Sequence, residues 1–132
     1  MLRSILSMFT IATIIGLALP VHAGLKSNAF VTVDKTNLVA SGAVGSARNS
    51  ADSKQYIRCY IHHITGWAGP MAYCEAVDSN GIVLGCRTTD PNKISVLYAM
   101  TDYSYIYFQA DANGDCTELV IDNRSFFPPM IP

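Results

Sequence analysis

Charge is scarce in this chain and nowhere concentrated. Lys, Arg, Asp and Glu make up 14% of its 132 residues, nine basic against ten acidic, and no basic run occurs. A nucleic-acid or anionic-membrane surface needs such a cluster to displace counterions, so no nucleic acid is expected among the partners. The sequence also lacks a G-x-S-x-G elbow, an H-E-x-x-H pair, a phosphate-binding loop and a dinucleotide glycine pattern. No two cysteines form the close C-x-x-C pair that zinc thiolate sites usually contain. With no spare thiol nucleophile and no recognisable Ser-His-acid order, no catalytic residue, metal or cofactor is assigned, and the protein is expected not to be an enzyme.

Long apolar runs are missing too, except at the start. Arg3 alone precedes an apolar stretch from Ile5 to Leu19, followed by small residues at Val21 and Ala23. The stretch is shorter than the roughly 20 residues that span a bilayer, and it ends in a processing-like site. Residues 1–23 are therefore read as a signal peptide cleaved after Ala23. Residues 24–132 are read as one secreted or periplasmic domain that meets the membrane only during export. Removing 23 of 132 residues leaves 109, enough for one domain and too few for two. Loss of Arg3 leaves eight basic against ten acidic residues, a net charge of −2.

The chain does hold a disulfide inventory and a set of hairpins. Cys59, Cys74, Cys86 and Cys116 all lie in the exported part, and an even number in a small exported domain favours two bridges. The first pairing is Cys59 with Cys74 and Cys86 with Cys116. The rival is Cys74 with Cys86 and Cys59 with Cys116, because a three-residue turn over Ser79, Asn80 and Gly81 would set Cys74 opposite Cys86. A two-residue Asn80-Gly81 turn would set Cys74 opposite Arg87 instead, so one residue of register separates the cases.

Asp78-Ser79-Asn80-Gly81 joins strand-like segments 70–77 and 82–88, and Asp111-Ala112-Asn113-Gly114 joins 103–110 and 115–121. A two-residue Asn113-Gly114 turn would place Phe108 opposite Leu119, Ile106 opposite Ile121, and Ala110 opposite Thr117. Upstream, segment 55–64 alternates, with Ile57, Cys59, Ile61 and His63 on one face and Tyr56, Arg58, Tyr60 and His62 on the other. Segment 29–33 reads as a strand, and 38–50, rich in Gly, Ala and Ser, as an irregular edge strand followed by a loop. Asp90-Pro91 starts a helix over about 91–100, since Asp90 caps the first N–H groups and Pro91 suits the first turn. The tail 126–132, with three prolines, is expected to pack over an edge. Together these features predict a mainly β domain, a small antiparallel sandwich or partly open barrel with one short helix, stabilised by disulfides.

Seven tyrosines and a single tryptophan dominate the candidate surface. Tyr103, Tyr105 and Tyr107 form a stripe on one strand, Tyr56 and Tyr60 flank Arg58 on another, and Trp67 sits in a Gly- and Pro-punctuated connection. Rigid rings with a polar edge suit a protein interface or sugar stacking. The first functional expectation is a non-enzymatic secreted or periplasmic module that binds another extracytoplasmic protein, as an inhibitor, adhesin component or envelope accessory factor. The second is a carbohydrate-binding module using the same rings. The third is a small hydrolase served by His62 or His63, although neighbouring strand residues point to opposite faces. Burial of the stripe beneath the tail would remove the first two readings of it.

Overall fold

The computed structural model describes residues 25–129; the expected signal peptide and the last three residues lie outside that range. The described elements are β1 (Thr32–Asp34), β2 (Val39–Ala43), α1 (Val44–Arg48), β3 (Tyr56–His62), β4 (Met71–Val77), β5 (Val83–Thr88), α2 (Pro91–Val96), a 3-10 turn Leu97–Ala99, β6 (Ser104–Ala110) and β7 (Cys116–Asn123). They form two antiparallel sheets, one ordered β1-β2-β6-β7 and the other β3-β4-β5. The inner faces meet over Ile106 and Phe108, both fully buried, together with Ile57, Ala76, Leu84 and Leu119. The fold is a small sandwich held by two disulfides, not a closed barrel.

Both hairpin turns are built by the same atoms. In the first, Asp78 N–H donates to the Ile82 carbonyl, and Asp78 Oδ1 accepts from Asn80 N–H and Ile82 N–H, each at 2.9 Å. In the second, Asp111 N–H donates to the Asp115 carbonyl, and Asp111 Oδ1 accepts from Asn113 N–H at 2.8 Å and Asp115 N–H at 2.9 Å. The closing glycines, Gly81 and Gly114, have φ of +83° and +81°. A type I turn closed by a left-handed glycine is a three-residue hairpin loop, so neither Asn-Gly is a two-residue turn. The Asp side chain is what fixes this, because it occupies the N–H groups two and four residues on.

A three-residue loop alone would have shifted β6 and β7 by one residue from the expected pairing. It does not, because β7 carries a bulge: Gln109 opposes Glu118 while Ala110 opposes Cys116, leaving Thr117 as the extra residue. The Thr117 hydroxyl donates to the Gln109 carbonyl at 3.2 Å. Phe108 thus opposes Leu119 and Ile106 opposes Ile121 as expected, but Ala110 opposes Cys116 rather than Thr117. The bulge has a second effect. Strict alternation from the buried Leu119 would turn Cys116 to solvent, and the extra residue turns it inward, where it bonds Cys86 across the two sheets.

The other bridge lies within one sheet. Cys74 stands opposite Cys59 on one side and Cys86 on the other. The Asp78 N–H donates to the Ile82 carbonyl and so points towards β5, and alternate pairs counted back from there place Cys74 and Cys86 in a hydrogen-bonded pair and Cys59 and Cys74 in the closer kind. The bridge forms at the closer pair, with Cα atoms 4.1 Å apart.

Two segments differ from expectation. β2 is an interior strand rather than an edge, hydrogen-bonded to β1 and β6, with Ala40 and Gly42 paired to Phe108 and Ile106 and Val31 pressed close against Gly42. The chain then enters the single-turn helix α1 rather than a loop. Its Gly45 abuts the Pro128 carbonyl, and Asn49 Nδ2 donates to the Pro129 carbonyl at 2.9 Å, so the helix is a seat for the tail. The expected helix is present as α2, where Asp90 accepts from Asn92 N–H, and it tightens to 3-10 geometry at Leu97.

Candidate functional site

The residues singled out from the sequence fall on two separate outer faces. Tyr105 and Tyr107 lie on the outer face of the four-stranded sheet, opposite Asp122 and Val120, with Tyr103 just before β6. The tail folds over this stripe. Phe127 is buried and stacks on Tyr105 with centroids 5.7 Å apart and planes 16° apart, and Phe126 packs on Phe127 at 4.5 Å. Tyr103 is exposed and Tyr107 half-buried, so the three rings do not form one open strip.

Tyr56, Arg58, Tyr60 and His62 share the outer face of the three-stranded sheet, as β-alternation predicts, opposite Val77, Glu75, Tyr73 and Met71. Beyond them β5 contributes Val83, Gly85 and Arg87. The Arg58 guanidinium lies 5.5 Å over the ring centroids of both Tyr56 and Tyr60. It also donates to Glu75 Oε2 from Nε at 3.2 Å and Nη2 at 2.8 Å. The Tyr56 hydroxyl, then Arg58, hold the Glu75 carboxyl below its ordinary range, while Glu75 raises both Tyr56 and Arg58. This carboxylate is therefore held charged, with its Oε2 engaged by Arg58.

The rings continue along the face. Tyr60 stacks on Tyr73 across the strands at 5.6 Å and 17°. His62 stands edge-on to Tyr73 at 5.3 Å, to Trp67 at 5.8 Å and to Tyr60 at 5.9 Å, and its Nε2 is buried with no hydrogen-bond partner. Trp67 is presented by a turn in which its N–H donates to the Ile64 carbonyl and Gly66 takes φ +93°. His63 is exposed beyond the end of β3, so the two histidines are not brought together. Of the eleven exposed large apolar or aromatic residues described, six belong to this face or the loops at its ends: Tyr56, Tyr60, Ile64, Trp67, Ile82 and Val83. That concentration makes this the candidate site.

A notch of about 270 Å³ opens in the face where Gly85 has no side chain, walled by Tyr60, Tyr73, Glu75, Val83 and Arg87. Sequence reasoning missed Tyr73, Val83, Gly85 and Arg87. The signal was available, since the three-residue alternative for the first turn puts Tyr73 and Arg87 in one cross-strand pair beside Tyr60. Among the described residues no group of His, Cys, Asp and Glu is arranged to hold a metal ion. Compared with family models, curated proteins and solved structures, the chain matches none.

Proposed function

We propose that this chain is an exported, non-enzymatic protein-binding module whose contact surface is the outer face of the three-stranded sheet. The observation that carries the reading is the mutual engagement of its rings. Tyr60 is stacked on Tyr73 and lies under Arg58, and Tyr56 lies under the same guanidinium. A sugar needs a free ring face, whereas a protein partner also uses ring edges, hydroxyls and a held guanidinium, and Tyr, Trp and Arg are the residues that anchor such contacts. The signal-like segment 1–23 and the two disulfides support export.

The test is site-specific photo-crosslinking in an extracytoplasmic extract, with a photoreactive phenylalanine at Val83 on this face or at Val120 on the other. The expected result is a discrete protein adduct from position 83 that is absent from position 120. Adducts from position 120 alone, or equally from both, would refute the choice of face. Absence of any protein adduct, together with glycan binding abolished by Trp67→Ala, would replace this reading with carbohydrate binding.

A further inference from the structure

Resting on that reading, we propose that the notch over Gly85 receives a carboxylate side chain of the partner protein. The backbone supplies the first part of the argument. Arg87 N–H donates to the Gly114 carbonyl at 2.9 Å, so the N–H and C=O groups of Arg87 point away from β4. Antiparallel pairing alternates, so those of Gly85 and Val83 point the same way. The Val83 carbonyl is taken by Lys35 Nζ at 3.1 Å. Gly85, between these two clasps, has no edge partner among the described residues. Its N–H is therefore an unpaired donor on the open edge of β5, at the margin of the notch that Gly85 lines together with Asn113 and Gly114.

The side chains supply the rest. Arg87 reaches Asp115 Oδ1 only through Nε, at 3.3 Å, and both side chains are more than half exposed, leaving the two terminal nitrogens of Arg87 to a ligand. Glu75 is the acidic residue on the wall, and the Arg58 guanidinium bonded twice to its Oε2 offsets its charge towards an arriving anion. The tyrosine hydroxyls on the wall can also donate. A guanidinium beside an open backbone N–H matches a carboxylate, and charge-assisted bonds of this kind are stronger than neutral ones. The flanking Val83 and Tyr73 suit apolar residues on either side of the acid.

The experiment is selection of a phage-displayed random heptapeptide library on the oxidised wild-type protein, followed by affinity measurement with synthetic peptides. The expected result is Asp or Glu enriched at one position between apolar residues. Binding should fall about tenfold or more in Arg87→Gln. It should strengthen in Asp115→Asn, which removes the intramolecular competitor. Peptides that lose binding in a Tyr60→Ala, Tyr73→Ala double variant, carry no acid and ignore Arg87→Gln would overturn the carboxylate and leave the binding face standing. Peptides that ignore all these substitutions, or no selected peptides at all, would overturn both. Binding of oligogalacturonate in the same notch without acidic peptides would assign the carboxylate to a glycan and overturn the proposal as stated.

Discussion

Helix propensity alone makes Gly45→Ala a stabilising change, by about 1 kcal/mol for an interior helical position. The structure reverses the sign. A Cβ at Gly45 would lie 1.8 Å from the Pro128 carbonyl oxygen, 2.7 Å from its carbon and 2.8 Å from the Pro129 carbonyl carbon. These are backbone atoms, so no rotamer relieves the clash and the tail must lift. Lifting removes the buried Phe127 ring from Tyr105 and breaks the bond from Asn49 to the Pro129 carbonyl. The ring contributes about 1.5–3 kcal/mol by burial and about 0.5–1.5 kcal/mol by pairing, and the Asn49 bond about 0.5–1.5 kcal/mol. Against this stand the propensity gain and about 1–2 kcal/mol of backbone freedom returned to Phe127, the neighbouring prolines regaining little. The net expectation is a loss of about 1–2 kcal/mol, a fall in Tm of roughly 4–12 °C. Urea denaturation of the oxidised protein, monitored by circular dichroism, measures it. Phe127→Ala should cost a similar amount, and the double variant little more than either alone, because both remove the same contact. Unchanged or increased stability in Gly45→Ala, or full additivity in the double variant, would refute the reasoning.

Three further outcomes are expected from the geometry. Replacing Cys86 and Cys116 by alanine should destabilise more than replacing Cys59 and Cys74, about 3.6 against about 3 kcal/mol, because the closed loop is 30 rather than 15 residues; urea midpoints at equal m decide this. Asp78→Ala should cost about 1–3 kcal/mol because it removes the two charge-assisted bonds that the buried Asp78 carboxylate accepts from the Asn80 and Ile82 N–H groups, and Asp111→Ala, whose carboxylate is less buried, should cost less; the same urea titration ranks the two. The N–H of Gln55, then its side chain and the N–H of Lys54, lower the Asp52 carboxyl to about 2. Its folded value lies below the ordinary one near 3.9, so its contribution is fully present above about pH 4 and lost as pH falls through about 2. Asp52→Asn should flatten the acid limb of the stability profile within that window, and an unchanged limb would contradict the assignment.

The local parts of the fold were legible because they are written in neighbouring residues. Asp90-Pro91 marks the start of α2, the alternation of 56–62 divides β3 into its two faces, and both Asn-Gly sites mark hairpins. The register was harder, since the Asp78 and Asp111 side chains lengthen both loops by one residue and the bulge at Thr117 restores the pairing further along β7. Two opposite errors thus cancelled at Phe108 and Leu119 and survived only at Ala110. Segment 41–48 was opaque because its glycines answer to what lies against them, Val31 at Gly42 and Pro128 at Gly45, which only the folded chain brings there. The candidate site was half visible for the same reason. Tyr56, Arg58 and Tyr60 share a strand, but Tyr73 and Gly85 join them only through pairing, and the Tyr105 ring is hidden by a segment twenty residues and more downstream.

Three half-cystines stand in a row on the inner face of β3, β4 and β5, and this sets an order for oxidative folding. Cys59 and Cys74 meet as soon as two consecutive strands zip, so their bridge reports a local event. Cys86 finds Cys116 only after the second sheet has closed on the first, so that bridge reports completion of the sandwich. Between the two stages the chain carries a pair of thiols inside a half-built core, and the Cys86 thiolate lies beside the Cys74 sulfur of an existing bridge. Attack there would release Cys59 and trap Cys86, stranding Cys59 and Cys116 on strands that share no ladder. Docking of β7 is therefore in kinetic competition with thiol exchange, and refolding of the reduced chain with a disulfide isomerase should yield the native product faster than refolding with an oxidant alone.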